Sequence, residues 1–534
     1  MPPIATIILF HSSTMETWFA IVVSLCIAAL IKSVVFHRRD SGKKLPPGPS
    51  FLSSNLLLFT ISPLKLESIV KNLKSKYGPL VTLSIGFSPS IFVSDHSLAH
   101  QILIQKGAVF SDRLKSIPQR NISSASYGPT WRLLRRNLTS EVLHPSRVKS
   151  YSWARNSVLG VLIGRLQVAE EAAARIHVVD HFQFAMFSLL VLMCFGEKLD
   201  ERRINEIARV QRSMLLVVGS GRFTVLAAFP KLGKILFRNR WKEFEKLLED
   251  KERVLIPLIK SRIEASSSVP QLGTDQCVAY IDTLVNLKLP EEETTAGNGG
   301  KLTEKEMASM CSEFLNAGTD TTSTALQWIM VNLVKHSHVQ SKLYDEIVSV
   351  VGPPPPLPPP GEQPGSIINE EDIQKMAYLK AVVLEGLRRH PPTHFVLPHR
   401  VTKEVEVEGY LIPEGASINF LVAEMGLDPK VWDDPMEFKP DRFLMNDDVI
   451  DGGFDVSGSK GIKMMPFGAG RRICPGSDLA LLHLEYFVAN LIWFFQWNVV
   501  DGYGVDLSEK VESTVVMNNP LRTQITSRVG KRRM

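Results

Sequence analysis

The chain has 534 residues, of which 44% are apolar and 22% charged, and a formal net charge of +6. That apolar share can bury a large core and excludes disorder over most of the length, while so small a charge, with no interleaving of basic and aromatic residues, argues against a nucleic-acid partner. The five cysteines, Cys26, Cys194, Cys277, Cys311 and Cys474, are far apart, with neither C-x-x-C spacing for zinc or iron–sulfur nor a disulfide framework, which suits a reducing compartment.

Near the amino terminus, Trp18 to Phe36 reads WFAIVVSLCIAALIKSVVF. As a helix it spans ~28 Å, close to the ~30 Å hydrocarbon core of a bilayer, and Lys32 near its end can snorkel. No Lys or Arg precedes it, whereas His37, Arg38, Arg39, Lys43 and Lys44 follow, so the positive-inside rule puts everything downstream in the cytosol. A cleaved signal peptide wants the opposite flank. Met15 stands just before this segment. The expected organisation is an extension at 1–14 with no structural role, a transmembrane anchor at 15–37, a basic and proline-rich hinge at 38–50 and one large folded domain over 51–534.

Within that domain helical periodicity dominates, over 63–76, 146–172, 202–218, 242–265 and 301–336. Short strands are expected at 81–85, 91–94 and 404–407. The fold class is mainly α with a minor β part. Two stretches, 290–300 and the proline run of 352–365, read as mobile surface loops, the second solvated rather than docked on an SH3-like partner. The basic and apolar stretch 223–241 suits a membrane-surface segment and a core helix about equally.

Four groups of residues carry the chemistry. Trp131 and Arg135, four apart in a helix-like run, present an indole N–H and a guanidinium on one face. The long helix after Thr303 starts with a capping box, Thr303 and Glu306, and its middle reads Ala317-Gly318-Thr319-Asp320-Thr321-Thr322. A buried acid and alcohol in an apolar helix need a reason, since unpaired polar burial costs ~1–3 kcal/mol: either a kink with Thr321 bonded back to a carbonyl one turn earlier, or a proton relay. Glu385 and Arg388 lie three apart on a helix and can pair. Last comes Phe467-Gly468-Ala469-Gly470-Arg471-Arg472-Ile473-Cys474-Pro475-Gly476, leading into the apolar helix 479–495. Its glycines let the backbone fold tightly. Such a loop can aim the Cys474 sulfur at a metal, with the following helix N-terminus and Arg472 favouring thiolate over thiol, although a cysteine in a Gly-rich turn is usually structural.

These ten residues match F-x-x-G-x-R-x-C-x-G at every fixed position, and the chain is identified by them as resembling the cytochrome P450 family, in particular plant microsomal members. The resemblance implies that family's fold, with haem b (iron protoporphyrin IX) as cofactor, Cys474 as axial ligand of the iron, and Phe467, Gly468, Arg472 and Gly476 as haem contacts. A thiolate ligand donates electron density and promotes O–O cleavage. Trp131 and Arg135 match W-x-x-x-R, and by the same resemblance Arg113, His399 and Arg472 are further propionate contacts, with Arg132, Arg136 and Arg400 as competitors by position. Asp320 and Thr321 match the oxygen-activation motif, which implies catalytic proton transfer to bound dioxygen. Glu385 and Arg388 match E-x-x-R, locked in the family to an arginine that corresponds to Arg442; Asp441 stands where Glu is commoner.

The activity so implied is that of a monooxygenase inserting one oxygen atom of dioxygen into a lipophilic small molecule. No flavin or nicotinamide motif is present, so electrons are expected from NADPH through a separate reductase, NADPH–cytochrome P450 reductase, with cytochrome b5 as a second donor. Placement is the endoplasmic reticulum membrane, single-pass, with the catalytic domain cytosolic. The rivals are a haem-thiolate isomerase or dehydratase of hydroperoxides, against which the intact Asp320 and Thr321 argue, and a membrane-anchored haem sensor, which has no need of that pair. By the resemblance the pocket is lined by the stretch before Trp131, by Phe314 and Ala317, by 393–397 and by 515–517, mostly apolar side chains that leave the substrate open among fatty acids, terpenoids and phenolics.

Overall fold

The computed structural model describes residues 45–54, 66–85, 88–114, 121–172, 176–219, 237–268, 277–290, 300–444, 454–500 and 504–529, together with Ser24, Leu25 and Ile235. The anchor expected at 15–37, most of the stretch 223–241 and the loop interior at 291–299 lie almost wholly outside them.

The described chain runs from helix α1 (Leu66–Tyr77) through the hairpin β1 (Leu80–Ile85) and β2 (Ser88–Val93) and the short strand β3 (Asp112–Arg113) to helices α2 (Pro129–Glu141) and α3 (Ser152–Glu171). Strand β4 (Ile176–His177) leads into α4 (Val178–Phe195), followed by α5 (Glu201–Gly219), α6 (Arg238–Ser268) and the 32-residue α7 (Glu304–Lys335). Beyond them come α8 (Ser337–Val351), α9 (Ala377–Arg389), strands β5 (His399–Arg400), β6 (Val405–Val407), β7 (Tyr410–Ile412) and β8 (Ser417–Phe420), and helix α10 (Ser477–Phe494). Strands β9 (Phe495–Val499), β10 (Glu509–Val511), β11 (Val515–Met517) and β12 (Arg522–Ser527) complete the order.

The mainly helical class holds. Helix α7 starts where the capping box places it: the Glu306 N–H donates to Thr303 Oγ1 at 3.3 Å and the Thr303 N–H to Glu306 Oε2 at 2.8 Å. Beside it lies α4, which no amphipathic pattern announces because it is apolar all round. Among the described residues α4 is the one helix long and apolar enough to cross a bilayer, but 72% of it is buried within the fold, which makes it a core helix. It ends at Gly196, whose φ of 68° is the left-handed cap that glycine adopts without penalty. The helix expected over 146–172 is two pieces, Pro145–Ser150 and α3, because Tyr151 leaves helical geometry to bury its ring and bond its hydroxyl to the Val278 carbonyl.

One large apolar cluster fills the space among α2, α3, α4, α6, α7 and α10. A second lies against a five-stranded sheet of order β1-β2-β8-β5-β3, in which only the β2–β8 pair is parallel. This sheet matters for the site because β3 and β5 pair in the register Arg113↔His399. Strands β4, β12 and β9 form a further sheet at the far end. The proline run at 352–365 departs from the expected solvated loop. Pro354 and Leu357 are buried, Gln167 of α3 donates to the Pro358 carbonyl at 2.9 Å, and Trp493 of α10 donates to the Gly352 carbonyl at 2.9 Å. Prolines lack N–H donors, so their free carbonyls are satisfied from neighbouring helices.

Candidate active site

The loop before α10 closes on itself. The Cys474 N–H donates to the Phe467 carbonyl at 2.9 Å and Gly468 N–H to the Met465 carbonyl at 3.0 Å, with Gly468 and Gly470 at φ values of 70° and 72°. A Cβ on Gly470 would sit 2.2 Å from the Leu103 carbonyl oxygen, so this glycine is required by both conformation and a backbone approach. The Gly476 N–H, at the start of α10, points at the Cys474 sulfur. Burial pushes the Cys474 thiol up, while Gly476 and the Arg135 guanidinium pull it down. The cation acting on the sulfur is therefore Arg135 and not, as expected, Arg472, whose Nε, Nη1 and Nη2 donate to the carbonyls of Ser111, Ile122 and Ala125 at 2.7, 3.3 and 2.7 Å.

Behind the loop, Glu385 and Arg388 are fully buried and bonded twice, at 2.7 and 2.8 Å, and Arg442 reaches the same carboxylate at 3.2 Å. Trp432, whose ring lies 5.4 Å from the Arg388 guanidinium, donates to the Met425 and Lys463 carbonyls and so ties this triad to the strand of chain entering the cysteine loop.

On the other side stands a cluster of cations. Arg113 donates to the carbonyls of Ser123, Leu397 and Pro398 at 2.9, 2.8 and 3.0 Å. Trp131 is a platform: Arg472 lies 4.2 Å and Arg135 5.9 Å from its ring, and its indole N–H donates to the Ile122 carbonyl at 3.1 Å. Burial, then the charge of Arg472, lowers Arg113 to about 9; burial and Arg135 lower Arg472 to about 10 despite Asp112. His399 is pressed down to about 3 by burial and then Arg113, and stays neutral. Its Nδ1 sits 2.6 Å from the Phe110 carbonyl, which can only accept, so the ring proton is on Nδ1. Of the positional competitors, Arg400 is paired with Asp112 at 3.2 Å and Arg132 lies over Tyr127. With its one neighbouring carboxylate so engaged, the trio Arg113, Arg135 and Arg472 carries excess positive charge that suits a ligand with two carboxylates.

Above this, α7 divides its polar residues between two faces. The Thr321 hydroxyl donates to the Ala317 carbonyl at 2.6 Å, and Ala317 is exposed in mid-helix although Leu315, Thr319 and Asp320 are buried, so the Ala317 and Thr321 face borders open space. Asp320 turns away from it. Its carboxylate takes bonds from Arg212 at 3.2 Å and Ser513 at 3.1 Å and borders a cavity of about 220 Å³ whose lining mixes Asp180, Gln211, Arg212 and Asn316 with Phe184, Phe187 and Ile204. Burial raises the Asp320 carboxyl above the usual carboxylate range, and Arg212 holds that rise down. Arg212 is shared with Glu512 at 3.5 Å. Neither Arg212 nor Ser513 stands out in sequence, being an ordinary helix cation and a serine some 190 residues from its partner.

Among the described residues no group of three or more His, Cys, Asp or Glu side chains is placed to hold a metal. A lone cysteine beside such a cationic trio would fit a metal held mainly by a macrocycle that bears carboxylates.

The family model described as Cytochrome P450 matches residues 46–526. The chain is 45% identical to Cytochrome P450 89A9 of Arabidopsis thaliana over 96% of its own length and 98% of that protein's. It is 28% identical to Flavonoid 3'-monooxygenase of Arabidopsis thaliana, over 91% and 92% of the two chains, and 29% identical to Beta-amyrin 24-hydroxylase of Glycine max, over 92% and 94%. A solved zebra fish cytochrome P450 structure with abiraterone superposes with a TM-score of 0.69 over 87% of this chain and 99% of that one, at 21% identity, a likeness of fold.

Proposed function

The chain belongs to the cytochrome P450 family and is a haem b monooxygenase, and from that premise we propose that Cys474 is the axial thiolate ligand, with Arg113, Arg135 and Arg472 holding the propionates. The observation that carries this reading is the pairing of one closed cysteine loop with three guanidiniums, Arg135 and Arg472 over Trp131 and Arg113 beside them, whose neighbouring carboxylate Asp112 is already bonded to Arg400.

Phe467, Gly468 and Gly476 shape the sulfur side of the haem. A propionate held near His399 would favour the ring's charged form, from which both ring nitrogens would donate. When bound, the haem thiolate supplies reductive splitting of dioxygen and insertion of one oxygen atom into the substrate, the other leaving as water. The protein's own part is positioning and proton supply. The open face of α7 at Ala317 and Thr321, with Phe314, the stretch 393–397 and Val515 to Met517, surrounds a lipophilic small molecule and excludes water from it. The names of two relatives give a flavonoid and beta-amyrin as what they act on, which supports a substrate of this class. Asp320 takes protons from the cavity shared with Arg212, and Thr321, whose donated bond to Ala317 leaves its oxygen free to accept, stands on the chamber side. Electrons come from NADPH through NADPH–cytochrome P450 reductase, with cytochrome b5 as an auxiliary, at the endoplasmic reticulum membrane, where a single-pass anchor at 15–37 leaves the catalytic domain in the cytosol.

The test is a reduced carbon monoxide difference spectrum of the purified protein and of Cys474→Ser, followed by reductase-dependent NADPH and oxygen consumption across lipophilic libraries. The red-shifted thiolate band is expected in the first protein and absent from the second. A serine variant that kept the band would sink the axial assignment, and absence of coupled turnover with every substrate would sink the chemistry.

A further inference from the structure

Glu313 belongs to none of the motifs above, yet it touches the haem end of the molecule through a single peptide group. It lies on α7, seven residues before Asp320, and its two carboxylate oxygens each accept one backbone N–H at 2.7 Å, from Ile122 and from Ser123. The Ser123 side chain bonds the carboxylate as well, no cation is among these partners, and burial raises the carboxyl against the pull of the three bonds. The Ser123 N–H and the Ile122 C=O are two ends of one planar peptide. The carbonyl end accepts the Trp131 indole N–H at 3.1 Å and Arg472 Nη1 at 3.3 Å. The next carbonyl, of Ser123, accepts Arg113 Nε at 2.9 Å, and that of Ala125 accepts Arg472 Nη2 at 2.7 Å.

The stretch from Asn121 to Tyr127 therefore acts as a slab with carboxylates against its amides and cations against its carbonyls. Asp112 closes the far end by accepting the Tyr127 N–H at 2.9 Å, and Asn121 turns the near end by accepting from Ser124. A buried carboxylate without a cation is costly unless strong bonds hold it, and amide bonds to a carboxylate are roughly twice as strong as neutral ones. Bonds in series also polarise one another, so a peptide whose N–H is held by an anion accepts more strongly at its oxygen. A glutamine of the same shape cannot do this at both amides, because one of its two terminal atoms is a donor.

We propose that Glu313 is a positioning residue for the propionate end of the site, fixing Trp131 and Arg472 through the Ile122–Ser123 peptide and Arg113 through the Ser123 carbonyl that follows it. This rests on the haem reading above. The experiment compares the haem-loaded full chain with Glu313→Gln and Glu313→Asp by three measurements: hydrogen exchange at the 121–127 amides, the rate of haem transfer to excess apomyoglobin, and the reduced carbon monoxide band. For Glu313→Gln, exchange at 121–127 and haem transfer each rise about tenfold or more, as for loss of one charge-assisted bond, while the band keeps its position because the cysteine loop is untouched. Glu313→Asp, which keeps the charge with a shorter reach, shows the same changes at smaller size and serves if the glutamine variant does not fold. Faster exchange with unchanged haem transfer would reduce Glu313 to a structural clamp and overturn the proposal, as would no change in either. If the unsubstituted protein itself lacked the red-shifted band, the haem-thiolate reading would fail, and the exchange data would still report separately on the clamp.

Discussion

Glu385→Gln removes one negative charge from a place with no exposed surface. The carboxylate accepts two bonds from Arg388 at 2.7 and 2.8 Å, the Lys439 N–H at 2.7 Å and Arg442 at 3.2 Å. Glutamine fills the same space but leaves two guanidiniums facing one neutral amide, and its NH2 has only donors in front of it. Breaking a buried pair by neutralising one partner costs ~3–5 kcal/mol. With an unfolding entropy of ~2.1 cal/mol/K per residue over a domain of roughly 480 residues, each degree corresponds to ~1 kcal/mol, so the melting temperature falls by ~3–5 °C. Glu385→Asp keeps the charge and withdraws it by one methylene, for a smaller loss of ~1–2 kcal/mol, of the order of one weakened charged hydrogen bond. The assay is thermal unfolding at a matched scan rate, since large chains unfold irreversibly, with haem content measured alongside. Equal losses in the two variants would show that shape and not charge governs the triad, and the reasoning from buried electrostatics would be wrong.

Gly470→Ala forces a Cβ to 2.2 Å from a backbone oxygen at a φ of 72°, whereas at Gly468, φ 70°, the nearest atom is Val396 Cγ1 at 3.5 Å. Both variants carry left-handed strain of ~1–2 kcal/mol, but only Gly470→Ala must displace the loop, so it loses most of its haem while Gly468→Ala keeps most; the reverse order in pyridine haemochrome content would refute the clash argument. Arg212→Gln removes the cation that restrains the Asp320 carboxyl, which burial already raises, so the acid limb of the kcat profile moves to higher pH; an unmoved limb would detach Asp320 from the rate. For His394, burial opposes the charge but Glu509 and Glu67 outweigh it and raise the ring to about 9. A raised base contributes stability that is complete below its ordinary value near 6.5 and is lost as pH rises through about 9. Glu509→Gln therefore lowers the melting temperature at pH 6 more than at pH 10, and a pH-independent difference would contradict the assignment.

What the sequence made legible follows the range over which each signal acts. The capping box at Thr303, the turn glycines at 468 and 470 and the i, i+3 pair of Glu385 and Arg388 are local patterns, and each took the shape its spacing implies. Helix α4 was not legible, since apolar residues on every side erase the period that marks a helix. The docking of the proline run was equally hidden: it depends on Gln167 and Trp493, which lie more than 100 residues away on either side. The same holds at the site. Residues adjacent in a motif could be singled out, but Arg212, Ser513 and Glu313 meet their partners across 100 to 200 residues of chain, where nothing in their neighbourhood distinguishes them from solvated side chains.

Helix geometry gives the acid and the alcohol different work. Consecutive residues on α7 point about 100° apart, and the surroundings of Asp320 and Thr321 differ: Asn316 and Asp320, four apart, border the cavity shared with Arg212, while Ala317 and Thr321, four apart, border open space. The motif thus lies between a cavity and the open face of Ala317. Gly318 lies between these faces and against α4, where a Cβ would stand 2.7 Å from Leu190 Cδ1. A larger residue there would have to displace the Leu190 side chain. The small residue in the motif thus keeps α4 close to α7, and in the relay proposed above the acid and the alcohol would serve different faces of one helix.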